Sequence, residues 1–254
     1  MKKLMSFDVD GTLLFERKID HRTLTALKAW QQAGNLAVCN TGKSIYANQV
    51  AFEPYDFSFD YYVLYTGAVI TDSQYQILQQ KTLDLDLVCE VVDRLAGTKD
   101  VNVFATTLDH DYQISNGTGW VSNILPAFSA LDKAELKEHQ YVGIPLWVTN
   151  DQLRAEIQAW IEEKFSGRLD CHRNLDFLDI VPLDSNKGSG LTWLVNYLQE
   201  PLKVYTIGDS WNDLDMHRVA DRSASLAHSP ADIQEMTNDV VTYTHEFIDR
   251  ALHD

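Results

Sequence analysis

Short apolar runs alternate with amphipathic stretches along most of this chain, and each run stops at a polar cluster. The first, Leu4-Met5-Ser6-Phe7, ends at Asp8-Val9-Asp10-Gly11-Thr12. Asp20 stands where a helix cap is wanted, ahead of Leu24, Leu27 and Trp30 on one face, with Gly34 as the stop. Leu36-Ala37-Val38-Cys39 reads as a second buried strand running into Asn40-Thr41-Gly42-Lys43-Ser44, and Tyr61–Leu64 as a third before Thr66-Gly67-Ala68. The same grammar returns late in the chain. Leu191, Leu194, Val195 and Leu198 have helical spacing, and Leu202–Ile207 reads as a strand ending at Gly208-Asp209. Ser229-Pro230 looks like a helix cap followed by proline at the first helical position, and Phe247, Ile248, Ala251 and Leu252 form a last helix face. Strands alternating with helices in this way predict βαβ units, an α/β fold and a mostly parallel, doubly wound sheet.

The stretch 83–183 has a different character. Helical patterns at Leu85–Leu95 and Gln152–Phe165 mix there with β-like patterns at Tyr141–Val148 and Phe177–Val181. The expectation is an α/β core built from 1–82 and 184–254, with 83–183 inserted as an α+β domain.

At 254 residues the chain can bury a substantial core as one large or two modest domains. Its 45% hydrophobic and 23% charged content is that of a globular protein, which excludes disorder. A formal charge of −16 would repel a phosphate backbone, so no nucleic-acid partner is expected. No membrane partner is expected either, because no run approaches the roughly 20 apolar residues of a spanning helix. Met1–Phe7 begins like a signal peptide, but Asp8 and Asp10 break its apolar part too early. Cys39, Cys89 and Cys171 are odd in number and far apart, which argues for a reducing, cytoplasmic setting.

Two acidic clusters follow strands: Asp8-Val9-Asp10-Gly11-Thr12 and Gly208-Asp209-Ser210-Trp211-Asn212-Asp213. In open α/β sheets ligands bind beyond the carboxyl ends of strands, where strand order reverses. If the strands before Asp8 and Asp209 are neighbours there, their carboxylates converge, and a bound cation relieves the repulsion. An all-oxygen set favours Mg²⁺, and Mg²⁺ among carboxylates suits a phosphate ester. One carboxylate can then act as nucleophile and a second as general acid and base.

These residues resemble a known family. Asp8-Val9-Asp10-Gly11-Thr12 is similar to the DxDGT signature of the haloacid dehalogenase-like (HAD) phosphohydrolases, and Gly208–Asp213 to their GDxxND motif. Thr41-Gly42 and Asn186-Lys187-Gly188 resemble the second and third motifs, and all four occur in the family's order. The insertion resembles by position the C2B-type cap of subfamily IIB, the Cof-like sugar-phosphate phosphatases. The resemblance implies a Rossmann-like core with a cap and a Mg²⁺-dependent phosphatase acting on a small phosphorylated metabolite, a sugar phosphate above all, through an aspartyl-phosphate. It implies Asp8 as nucleophile and Mg²⁺ ligand, and Asp10 as general acid/base whose backbone carbonyl also touches the metal. Asp209 and Asp213 complete the metal site, and Thr41, Gly42, Lys187 and Asn212 bind the phosphoryl group. The chain departs from the family in having Lys43 where arginine is common and Thr66 where asparagine is common.

Two alternatives stand beside this reading: a phosphomutase on the same scaffold, and a non-catalytic phosphometabolite-binding protein. A mutase needs a second, basic phosphate site in the cap, whereas the basic residues of 83–183 are few and scattered. Gly42-Lys43-Ser44 is not a P-loop, since Ala37 stands where that motif needs glycine. Gly117-Thr118-Gly119 reads as a loop, and Cys171-His172 lacks partners for a metal. Trp120, Trp147 and Trp160 read as packing residues rather than sugar-stacking ones.

Overall fold

A computed structural model describes residues 1–119 and 128–254; Trp120 lies outside them. In chain order the first stretch holds β1 (Lys2–Phe7), α1 (His21–Gln32), β2 (Leu36–Asn40), α2 (Ile45–Phe52), β3 (Tyr61–Leu64), β4 (Val69–Asp72) and β5 (Ile77–Gln80). The middle holds α3 (Leu85–Leu95), β6 (Val101–Thr106), β7 (Asp111–Asn116), β8 (Ser129–Ala130), β9 (Ile144–Val148), α4 (Asp151–Lys164), β10 (Leu169–Asn174) and β11 (Phe177–Pro182). The last stretch holds α5 (Lys187–Leu198), β12 (Leu202–Gly208), α6 (Leu214–Arg218), β13 (Arg222–Leu226), α7 (Ala231–Glu235), β14 (Asp239–Val241) and α8 (Thr244–His253).

Two compact units result. The first comprises Met1–Thr41, Phe52–Gln79 and Asn186–Asp254, and the second Gly42–Ala51 and Gln80–Ser185. Residues 42–51 group with the second unit, where the Ser44 hydroxyl donates to the Asp111 carboxylate at 2.5 Å.

The first unit is an eight-stranded sheet in the order β14-β13-β12-β1-β2-β3-β4-β5. It is parallel from β14 to β3, and β3 and β4 pair antiparallel. Successive strand residues face opposite sides, so Val204 and Tyr205 sort the helices. On the Val204 side, Leu4, Val38 and Val63 pack with Leu191 and Leu194 of α5 and Met216 of α6. On the Tyr205 side, the ring lies edge-on to Trp30 of α1 at 6.0 Å and to Phe247 of α8 at 6.1 Å. Helices therefore cover both faces, the doubly wound arrangement. The helix anchored by Trp30 is the one capped by Asp20, whose carboxylate accepts from Arg22 N at 3.1 Å.

Strand order reverses between β1 and β12. Phe7 lies in register with Ile207, and Asp8 N donates to Ile207 O at 2.9 Å. The two aspartate-bearing turns thus leave adjacent strand ends at the switch point.

The second unit is α+β. Its sheet runs β10-β11-β9-β6-β7-β8, with antiparallel pairs except β7 with β8. Ile144, Leu146 and Val148 of β9 face the core, where Val88, Val91 and Val92 of α3 and Ile157 and Ile161 of α4 pack. Trp160 packs there too, edge-on to Phe165 at 5.5 Å. Trp147 alternates to the other face and stacks on Phe177 at 6.4 Å, so neither described tryptophan stands alone.

Candidate active site

The site is built where β1 and β12 end. Asp8 and Asp209 are the first residues beyond those strands, and both are largely buried, at 6% and 8% exposed. Asp213 follows in a short 3-10 turn over Trp211–Asp213 and is wholly buried. Its Oδ2 accepts from the backbone N–H groups of Asp209 and Ser210, each at 3.0 Å, which folds the carboxylate back over the strand end. Gly208 leaves it room, because a Cβ there would run into the Asp213 carboxyl group. Gly11 does the same for the other turn. It has φ +81°, and a Cβ on it would collide with the Asp209 carboxylate.

Lys187 enters from the start of α5. Asn186 caps that helix by accepting from Ser189 N at 2.7 Å, and the Asn40 amide holds Lys187 O at 3.0 Å. The lysine ammonium, 1% exposed, donates to Asp8 Oδ1 and Asp213 Oδ1, both at 2.6 Å. Burial works against its charge, yet Asp213 and then Asp8 outweigh burial and hold it protonated above the ordinary lysine range. Burial pushes the Asp213 carboxyl up to about 7; Lys187 opposes this, and Asp8 and Asp209 add to it. Asp209 is likewise raised, by burial first.

Asp8, Asp209 and Asp213 each offer an oxygen within 4.8 Å of the others. Three buried carboxylates facing one ammonium leave excess negative charge, and the donors are all oxygen. The residues therefore fit a hard dication of the Mg²⁺ type. Asp8 Oδ2 is buried and has no hydrogen-bond partner among the described residues.

The other expected residues are placed as follows. Asp10 is half-buried, bridges to Leu14 through the backbone and is not one of the three clustered carboxylates. Thr41 is buried at the end of β2, its N–H donating to Val63 O at 2.9 Å and its carbonyl accepting from Thr66 N at 3.1 Å. Thr66 holds that bond from a left-handed conformation, φ 54°, which suits the family's commoner asparagine better than a β-branched residue. Gly42 follows Thr41 in the chain and opens the segment grouped with the second unit. Asn212 is buried, and its Oδ1 has no partner among the described residues.

Three residues were given no role by the sequence reading, although Thr12 lies within the first motif. Thr12 donates to Asp209 Oδ1 at 3.4 Å, and His228 Nε2 lies 3.4 Å from Asp209 Oδ2. Contact with Asp209 raises the His228 pKa against the effect of burial. His228 follows β13, the parallel neighbour of β12, so the strand-end rule would have found it once sheet order was known. His217 of α6 is the third. Its Nδ1 pairs with Thr206 Oγ1 at 2.9 Å, and its Nε2 is buried without a partner among the described residues. Burial, helped by Lys187, pushes His217 down to about 3. The folded chain therefore keeps this ring neutral where the unfolded chain binds a proton, and stability is lost as pH falls from about 6.5 toward 3. Thermal melts between about pH 7 and 5 are expected to show a smaller fall in Tm for His217→Gln than for wild type. Equal falls would remove His217 as a source of acid lability.

Residues 5–247 match the family model of haloacid dehalogenase-like hydrolases. Among characterised relatives, an HMP-PP phosphatase of Yersinia pseudotuberculosis is 26% identical over 230 residues, covering 85% of this chain and 80% of that protein. The 5-amino-6-(5-phospho-D-ribitylamino)uracil phosphatase YwtE of Bacillus subtilis is 23% identical, with 98% of each chain covered. In fold, a haloacid dehalogenase-like hydrolase from B. subtilis superposes with a TM-score of 0.85 at 19% identity, covering 99% of both chains. The subclass IIB sugar phosphatase BT4131 superposes at 0.80 and 16% identity, covering 99% of this chain and 98% of its own. With four ordered motifs, a switch point that gathers three of their carboxylates and a family match over nearly the whole length, this chain belongs to the haloacid dehalogenase-like hydrolases.

Proposed function

We propose that this hydrolase is a Mg²⁺-dependent phosphatase that cleaves a small phosphorylated metabolite, a sugar phosphate above all, through an aspartyl-phosphate on Asp8. The observation that carries the reading is the Lys187 ammonium held 2.6 Å from both Asp8 and Asp213 at the strand switch point. The characterised relatives support the substrate class, since both are named as phosphatases of small phosphorylated metabolites.

Asp8, Asp209 and Asp213, with the Asp10 carbonyl, would hold Mg²⁺, which when bound offsets charge on the phosphoryl oxygens. Asp8 attacks phosphorus, and the bond from phosphorus to the ester oxygen breaks. Asp10 gives its proton to the departing alkoxide. In the second step Asp10, now a carboxylate, takes a proton from water; the water oxygen bonds to phosphorus, and the acyl-phosphate bond breaks to return Asp8. Thr41, the Gly42 N–H, Lys187 and Asn212 bind the transferring group, and Lys187 stabilises the charge that spreads over its oxygens. The inserted 83–183 region would serve as the specificity domain. Several basic side chains there already pair with carboxylates, Arg154 with Asp151 and Asp176, Lys164 with Glu90 and Lys133 with Asp93. That favours hydrolysis over a mutase. A cytoplasmic setting accords with the absence of a disulfide among the three cysteines.

The test is phosphate release from a panel of sugar phosphates and other small phosphate esters, with Mg²⁺ and with EDTA. Release with Mg²⁺ that EDTA abolishes is the expected result. Release that survives EDTA would contradict the metal dependence, and silence across the panel would favour a binding role.

A further inference from the structure

We propose that His228 is a positioning residue of the metal site, fixing the Asp209 carboxylate in the orientation that lets the site favour Mg²⁺ over a larger dication. The inference rests on the proposed phosphatase reading, which makes Asp209 a metal ligand. His228 follows β13, outside the four motifs, and its Nε2 lies 3.4 Å from Asp209 Oδ2. Thr12 donates to the other oxygen, Oδ1, at 3.4 Å, so a partner stands on each carboxylate oxygen. The His228 side chain also hydrogen-bonds the Gly11 backbone, which ties it to the turn carrying the first motif. An ionised carboxylate only accepts, so the ring nitrogen facing Asp209 is the donor.

A half-exposed histidine ordinarily samples several rotamers, but this one is braced from two sides. Ala227 N donates to Val241 O at 2.8 Å and Ser229 N to Leu226 O at 3.0 Å, which closes the turn that carries it. Its ring meets Phe15 edge-on, with centroids 5.6 Å apart and planes at 82°. Phe15 is itself fixed, because it exchanges backbone hydrogen bonds with Lys18 at 3.0 and 2.9 Å. The residues between them, Glu16 and Arg17, are both left-handed, at φ 49° and 64°. Glycine and asparagine favour such a turn, and other residues hold it under strain. That turn sets an exposed phenylalanine against the histidine. Mg²⁺ demands near-octahedral geometry at short distances, whereas Ca²⁺ accepts more oxygens in looser arrangements. A ligand braced from outside the site therefore matters more to the smaller ion.

The test titrates wild type, His228→Phe and His228→Gln with Mg²⁺ and, separately, with Ca²⁺ by calorimetry, alongside thermal melts in EDTA. Phenylalanine keeps a ring against Phe15 and removes the donor, while glutamine carries an N–H at the reach of Nε2 without the ring. His228→Phe is expected to weaken Mg²⁺ binding about tenfold to a hundredfold, with a smaller loss for Ca²⁺ and an EDTA melt close to wild type. His228→Gln should recover most of the Mg²⁺ affinity. Unchanged Mg²⁺ binding in His228→Phe, equal losses for the two ions, or no recovery in His228→Gln would overturn the proposal. If His228→Phe does not fold, His228→Ala takes its place and is read in the same way. Wild type that binds neither ion would overturn the metal reading and this inference with it. Wild type that binds Mg²⁺ no better than His228→Phe overturns the inference alone.

Discussion

Replacing Asp8 by asparagine is expected to cut turnover by roughly 10⁴-fold or more, because the amide cannot form the acyl-phosphate on which both steps of the proposed mechanism depend. The fold should survive. Asparagine has nearly the same shape and keeps a carbonyl oxygen for the Lys187 ammonium, which still has Asp213 at 2.6 Å. The substitution also removes one of three crowded carboxylates, so Tm should hold or rise. Steady-state phosphate release and a thermal melt on the same preparation separate the two effects. Turnover close to wild type would remove Asp8 as nucleophile, and lost turnover with a collapsed melt would leave its role structural.

Lys187→Ala is expected to have the largest effect on stability. The side chain is 1% exposed and lies between two buried carboxylates, so its loss strands both. Breaking a buried pair from one side costs about 3–5 kcal/mol, and the lower end is expected here. Asp213, already held near 7, relieves part of the cost by taking up a proton once the ammonium is gone. Turnover should fall by about 10²-fold or more, since the proposed mechanism also loses the positive charge that stabilises the phosphoryl oxygens. Urea unfolding in EDTA reads the first effect and kcat/KM the second. A variant as stable and as active as wild type would contradict the ion-pair geometry.

The first unit was legible because its strands are short apolar runs that end in aspartate or in Thr-Gly. That pattern fixed β1, β2, β3 and β12, and with them the order of the motifs. Much of the second unit was hidden. Val101–Thr106 is buried throughout, but Asn102 interrupts its apolar run, and in Leu169–Asn174 the alternation of Asp170, His172 and Asn174 reads as polar surface. Ser229 also misled. Its hydroxyl turns back to accept from Leu226 N at 3.1 Å, and α7 begins beyond Pro230. The charges of the site could be read residue by residue, whereas its supports could not. Asn40 under Lys187 and His228 beside Asp209 depend on which strands become neighbours, which local pattern does not encode.

The central claim is that phosphorus becomes bonded to Asp8. Wild-type protein would be mixed with Mg²⁺ and its best ester from the panel, quenched in acid within a turnover and digested for peptide mass spectrometry. A phosphoryl adduct on Asp8, missing when EDTA replaces Mg²⁺ and missing in Asp8→Asn, is the predicted result. Brisk phosphate release with the adduct on another residue, or undiminished release from Asp8→Asn, would contradict it.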